Sequence, residues 1–230
     1  MRIRSAILSA GAILSIGLLA ASVTWAAGGA PMPQASYSRE PSPQEKAKSL
    51  YNDGIREVRK ADRFQDSAAH LVDAGKKDRA LREAQMLYSS SLAKFQHAVE
   101  LDPSMHEAWN YVGYTNRKLG HFDVALSAYE RALALQPGYP EALEYRGEAF
   151  LALSRVSDAQ QAYLDLFASN RGLAERLLAA MRTWMETQRA KATGSDATAM
   201  DELQKWIQER AQIANQTAAL TRAGTAANWH

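Results

Sequence analysis

The chain has 230 residues, 47% of them hydrophobic, so it carries the apolar material to bury a core. Lysine and arginine total 27 against 25 aspartate and glutamate, a balance without the basic footprint of a nucleic-acid binder. Cysteine is absent, which excludes disulfides, thiolate metal sites and cysteine nucleophiles and leaves packing alone to hold the fold.

Met1-Arg2-Ile3-Arg4 is a short basic start, and Ala6 to Val23 is an apolar run. Thr24-Trp25-Ala26 then places a small residue at each of the two positions a signal peptidase reads. This layout predicts a secretory signal peptide over 1–26 and a periplasmic or secreted protein. The alternative is an uncleaved inner-membrane anchor, because the run approaches the ~20 residues of a bilayer span. Arg2 and Arg4 are not adjacent, which disfavours twin-arginine export, and a lipoprotein would need a cysteine. Removing 1–26 takes away two arginines and no acid, leaving 25 basic and 25 acidic residues. Residues 27–41, rich in Gly, Pro, Ser and Ala, read as a flexible linker.

Ser42-Pro43-Gln44-Glu45 is a helix start: Ser42 caps, Pro43 suits the first helical position, and Glu45 reaches back. The helix that follows carries Ala47, Leu50, Tyr51, Ile55 and Val58 on one side, with Gly54 as its small residue. No proline interrupts 44–102, and a second helix closes with Phe95, Ala98, Val99 and Pro103.

From there a period of 34 residues takes over. Phe95, Ala98 and Pro103 recur as Tyr129, Ala132 and Pro137, while Gly113, Ala125 and Tyr129 recur as Gly147, Ala159 and Tyr163. Trp109, Val112, Asn116 and Leu119 form one helical stripe. Phe122, Ala125, Leu126, Tyr129, Ala132 and Leu133 form another, with Gly120 between them suited to the left-handed end of a helix. A fixed period of this size predicts stacked helix–turn–helix units. Gly54 and Gly113 lie 59 residues apart, one period plus 25, so the first unit is enlarged. Gly75 lies near the midpoint between Gly54 and Ser91. That symmetry predicts two helices each lengthened by about 12 residues, roughly 18 Å, with the turn at Ala74-Gly75-Lys76. The arm's far end, Phe64, Leu71, Leu81 and Leu87, would pack on itself or on a partner. The alternative is a short helix followed by a loop around Asp62 to Asp73.

The 106–139 unit resembles a tetratricopeptide repeat. Trp109, Val112, Gly113, Ala125, Tyr129, Ala132 and Pro137 fill that pattern's large, apolar, small and proline positions, while Asn116 stands where an aromatic is expected. The 140–170 unit matches through Leu143, Gly147, Phe150, Ala159 and Tyr163, and departs at Arg146, Leu166 and Arg171. The resemblance implies an all-α solenoid with repeats at about 47–105, 106–139 and 140–170. It also implies a groove lined by the first helix of each unit. Carried over position by position, the partner-binding candidates are Tyr51, then Asn110, Tyr111, Tyr114 and Arg117, then Glu144, Tyr145 and Glu148. Ile55, Val58, Glu107 and Glu141 share that face. Glu144 and Glu148 are placed to meet Arg117 and Lys118 across units. Trp109, Tyr129 and Tyr163 are expected to fill the interior, leaving the groove tyrosines to a partner.

Leu173, Leu177, Met181, Trp184 and Gln188 continue a helical stripe, and Thr193-Gly194-Ser195 reads as a turn. A last helix from about Ala197 to Leu220 carries Met200, Leu203, Trp206, Ile207, Ile213 and Ala214. These capping helices span 171–222, closing a helical domain of 42–222 before a mobile tail at 223–230. A solenoid needs such a cap because its last unit otherwise exposes an apolar face.

The chain has no G-x-S-x-G, H-E-x-x-H, P-loop or G-x-G-x-x-G motif. None of His70, His97, His106, His121 and His230 lies three or four residues from another. The expectation is a scaffold and not an enzyme, without cofactor, metal or nucleic acid. Its partner would be another envelope protein or an extended peptide segment, and it would touch the membrane only if the signal is retained.

Overall fold

A computed structural model describes residues 39–190 and 193–227. The expected signal segment and nearly all of the linker lie outside the described residues, as do 191, 192 and 228–230. The chain divides into two units, Met1–Arg39 and Glu40–His230. The second holds eight helices and, among the described residues, no strand. These are α1 Pro43–His70, α2 Ala74–Leu101, α3 His106–Lys118, α4 Phe122–Leu135, α5 Pro140–Ala152, α6 Val156–Ser169, α7 Arg171–Arg189 and α8 Ser195–Ala227. Each helix packs on the next, and α3 on α5 and α5 on α7 make a second set of contacts. This is an α-solenoid of helix–turn–helix repeats.

The helix starts follow local chemistry. Ser42 Oγ accepts from the Glu45 N–H at 3.2 Å, and Glu45 Oε2 accepts from the Ser42 N–H at 2.6 Å, closing the expected capping box. The long hairpin forms with two helices of 28 residues, but its turn is Leu71-Val72-Asp73 and not Ala74-Gly75-Lys76. Asp73 decides this. Its Oδ1 accepts from the Lys76 N–H at 2.8 Å, so the helix begins behind it and Gly75 is helical. Between α3 and α4, Gly120 takes φ 85° as expected. Thirty-four residues on, Ser154 takes φ 58° at the equivalent turn.

Small and large residues interlock as the period requires in the first two units, whereas in the third a Cβ on Gly147 would meet Leu177 of α7 at 2.6 Å and not Tyr163. A Cβ on Gly113 would lie 2.5 Å from the Tyr129 ring, and one on Gly54 would lie 2.6 Å from the Phe95 ring. Phe95, Tyr129 and Tyr163 are fully buried. Trp109 is not an interior residue: it is half-buried at the rim, where its Nε1–H donates to the Pro103 carbonyl at 3.0 Å. Asn116, at the aromatic position, is buried because its Nδ2 donates to the Val112 carbonyl at 2.8 Å and its Oδ1 sits 3.2 Å from His121 Nδ1.

The arm packs differently from the expectation. Its seam is made of Ala61, Ala68, Ala80 and Ala84, small residues that let the two helices approach closely, together with the buried Tyr88 ring. Phe64 and Leu87 pack beside this seam, Leu71 is half-buried, and Leu81 is exposed along with Val72 and Met86. At the other end, Leu177, Met181, Met185, Met200, Leu203 and Ile207 join the core of the last repeat. The buried stripe of α8 ends there, since Ile213 and Leu220 are exposed. The helix nevertheless runs to Ala227, beyond the Leu220 expected and through 223–227 of the supposed tail.

Candidate functional site

The 34-residue register puts Asn110 and Tyr111 on α3 opposite Glu144 and Tyr145 on α5. Their rings connect with those of α1. Tyr51 meets Tyr111 edge-on at 5.7 Å, Tyr111 lies 5.8 Å from Tyr114, and Tyr114 meets Tyr145 at 5.0 Å. Four of the candidates are therefore one continuous aromatic row across three helices, at separations where ring pairs attract. Phe95 supports it from beneath, stacked on Tyr111 at 5.2 Å. Burial pushes the Tyr51 hydroxyl up to about 12, with Tyr111 adding to the effect, and burial likewise pushes Tyr145 up to about 12. Both hydroxyls stay protonated and able to donate.

The charged candidates are tied into this row. Arg117 pairs with Glu148 across α3 and α5, as expected. Its guanidinium lies 5.3 Å from the Tyr114 ring centre and 5.5 Å from that of Tyr145. Burial opposes the Arg117 charge, but Glu148 and Tyr129 outweigh it and raise the pKa. Lys118 does not meet the glutamates. Its Nζ donates to Gln65 Oε1 at 2.7 Å and sits 3.8 Å from Asp62 Oδ1. Glu144 turns to α7 instead, with Arg176 Nε 2.9 Å from its Oε1.

Three candidates are more deeply placed than a groove lining suggests. Asn110 and Glu144 are each 1% exposed, and Tyr114 is 8% exposed. Tyr114 is covered by the lengthened part of α1, where its hydroxyl donates to Asp62 Oδ1 at 2.7 Å. The Tyr88 hydroxyl from α2 reaches the same oxygen at 2.5 Å, with Gln65 Oε1 3.0 Å away. Burial and then Asp62 raise the Tyr114 pKa far above the ordinary phenol range. Tyr51, Tyr111, Tyr145, Arg117 and Glu148 are half-buried and remain accessible from the inner face. Sequence reasoning missed Asp62, Gln65, Tyr88 and Arg176. Tyr88 was within reach, since it falls on the α2 stripe one heptad before Phe95.

At the N-terminal ends of α3 and α5, Tyr139 meets the His106 ring at 4.8 Å, and His106 Nδ1 lies 3.2 Å from Glu107 Oε2. Beside His106, between α1 and the start of α3, a recess of about 540 Å³ opens, lined by Lys48, Tyr51, His106 and Glu107 among others. Among the described residues no group of three or more His, Asp or Glu side chains is arranged to hold a metal ion. Among them, too, no helix is long and apolar enough to cross a membrane.

A family model described as "Tetratricopeptide repeat" matches residues 113–174, the second and third units. Among solved structures the chain is similar to one titled "Crystal structure of MamA", at 18% identity and a TM-score of 0.39, over 65% of this chain and 86% of that one. No curated protein matches the chain.

Proposed function

We propose, on the premise that this chain carries tetratricopeptide repeats and is a protein-interaction scaffold, that it is exported and holds another envelope protein on its inner helix face. It acts by binding and not by catalysis. The observation that carries this reading is the aromatic row. Tyr51 and Tyr111 meet directly and Tyr145 joins them through the buried Tyr114; all three are half-buried and fixed by neighbours, so they present contact area with little side-chain freedom left to lose. Tyrosine and arginine are the residue types that dominate binding energy at interfaces. Beside the row, Arg117 and Glu148 are already paired with each other.

The test is affinity capture from the cell envelope with the parent chain and with Tyr111→Ser/Tyr145→Ser. Loss of a reproducibly captured protein by the double variant, with its helical circular dichroism intact, supports the reading. Equal capture by both moves the working surface elsewhere. A second reading, the same scaffold held on the membrane by residues 1–26, is favoured by the length of the Ala6 to Val23 run. N-terminal sequencing separates the two: a start at Ala27 supports the soluble protein, and an intact Met1 supports the anchored one.

A further inference from the structure

The inner face holds one group that the aromatic row does not explain. Glu144 is 1% exposed, and neither of its carboxylate oxygens makes a hydrogen bond. A buried anion is ordinarily both paired and hydrogen-bonded. Glu144 has only half of that: Arg176 sits 2.9 Å from Oε1 but stays 62% exposed. The cation reaches in from solvent and is not itself buried with its partner.

The charges acting on Glu144 come from three helices. They are Arg176 on α7, Glu148 and Glu141 on α5, and Arg117 on α3. Arg117 is committed to Glu148, and Glu141 has no ion pair among the described residues. When Glu144 is ionised, three carboxylates therefore act here against two guanidinium groups, and the cluster is one positive charge short. The position one repeat upstream repeats the pattern. Asn110 is the 34-residue counterpart of Glu144, is also 1% exposed, and its Oδ1 has no partner. Equivalent positions on α3 and α5 thus each hold buried acceptor oxygens that make no hydrogen bond. The half-buried Tyr145, which feels both Glu144 and Arg176, already has one guanidinium near its ring, that of Arg117.

We propose that Glu144, with Glu141 and the Tyr145 ring, is a subsite for the guanidinium or ammonium head of an arginine or lysine on the partner, and that Arg176 occupies it in the free protein. This rests on the inner face being the binding surface. The chemistry follows from the inventory of the site. A guanidinium offers five donors in a planar fork, enough to satisfy both oxygens of a carboxylate, and it is attracted to an aromatic face. An acidic segment is repelled, because every acceptor here is an oxygen and the uncompensated charge is negative. Displacing Arg176 releases its side chain to solvent, where most of it already lies.

Two short peptides test this on the full chain by fluorescence anisotropy: one centred on arginine, the other its citrulline analogue, which has the same shape without the charge. The expected result is saturable binding of the arginine peptide, at least about tenfold tighter than citrulline. Glu144→Gln removes that preference, and Arg176→Ala, assayed near pH ~9 because losing Arg176 lifts the Glu144 carboxyl further, strengthens it by vacating the subsite. Arg176 is exposed, so its variant keeps the test decisive even if Glu144→Gln fails to fold. In the parent, affinity for arginine also falls as the pH drops below about 7, because burial pushes the Glu144 carboxyl up to about 7 and the neutral form holds no cation. Equal affinity for the two peptides, no binding to Arg176→Ala, or weaker arginine binding by Arg176→Ala overturns the assignment and makes Glu144–Arg176 a purely structural pair. Should citrulline and arginine peptides bind equally yet be lost in Tyr111→Ser/Tyr145→Ser, the inner face stays the working surface and only the cation subsite is wrong.

Discussion

Tyr114→Phe isolates the contact that ties the enlarged first hairpin to the second repeat. In the parent the Tyr114 hydroxyl donates to Asp62 Oδ1 at 2.7 Å, from a side chain only 8% exposed. Hydrogen bonds to charged groups contribute about 1.5–3 kcal/mol. Asp62 is not orphaned by the change, because Tyr88 remains at 2.5 Å and Lys118 Nζ at 3.8 Å. The loss therefore falls at the lower end, about 1.5 kcal/mol. Tyr114→Ala also removes the ring that meets Tyr145 at 5.0 Å and Tyr88 at 6.5 Å. That truncation costs about 3–5 kcal/mol, the range for deleting a buried aromatic side chain. Urea melts of Tyr114→Phe, Asp62→Asn and the double variant measure the coupling directly. A coupling near 1 kcal/mol or more is expected for groups in contact. Additive effects, or a Tyr114→Ala protein that melts with the parent, would refute the latch and return Tyr114 to the surface.

Two further predictions concern stability. Ser154 holds φ 58° on an exposed turn where the preceding repeat uses Gly120, and an L-residue pays roughly 1–2 kcal/mol there. Ser154→Gly is expected to gain about 1 kcal/mol, a rise of about 2–4 °C in Tm by calorimetry; an unchanged or lower Tm contradicts it. Glu144→Gln is expected to flatten the pH dependence of folding. The Glu144 carboxyl is raised by burial to about 7 in the folded protein, above its unfolded value. The penalty is therefore absent below the unfolded pKa, grows as pH rises, and is complete above about 7. At about 1.4 kcal/mol per pKa unit it reaches roughly 3 kcal/mol, so the variant should gain on the parent by that order between pH ~4.5 and pH ~8 in denaturant melts. A gap that does not widen with pH would mean the carboxyl is solvated.

The fold was legible because the sequence carries a period. Gly113 and Tyr129 specify each other: the ring occupies the space a Cβ would need, and the same match recurs for Gly54 and Phe95 across the insertion. The doubled length of α1 and α2 followed from counting residues, since no proline interrupts the stretch. The turn was misplaced because Gly75 looked like a break, whereas a carboxylate cap at Asp73 is the stronger signal for where a helix starts. Repeat register also predicts which residues share the inner face, but not how deeply each lies.

Depth depends on what the insertion covers, and here the enlarged hairpin changes the character of the groove. Asp62 and Gln65 belong to the inserted part of α1, beyond the length of an ordinary repeat helix. From there they reach Tyr114 and Lys118 on α3. Lys118 is thereby drawn away from Glu144, and burial lowers its pKa while Asp62 acts in opposition. Glu144, left without the cation its position anticipates, is approached by Arg176 from the other side. The insertion closes the end of the inner face near the helix C-termini, and Tyr51, Tyr111 and Tyr145 stay accessible at the other. A partner that uses the aromatic row must then lie along the N-terminal halves of α3 and α5. It would pass Glu107, where the recess lined by Tyr51 and His106 already opens.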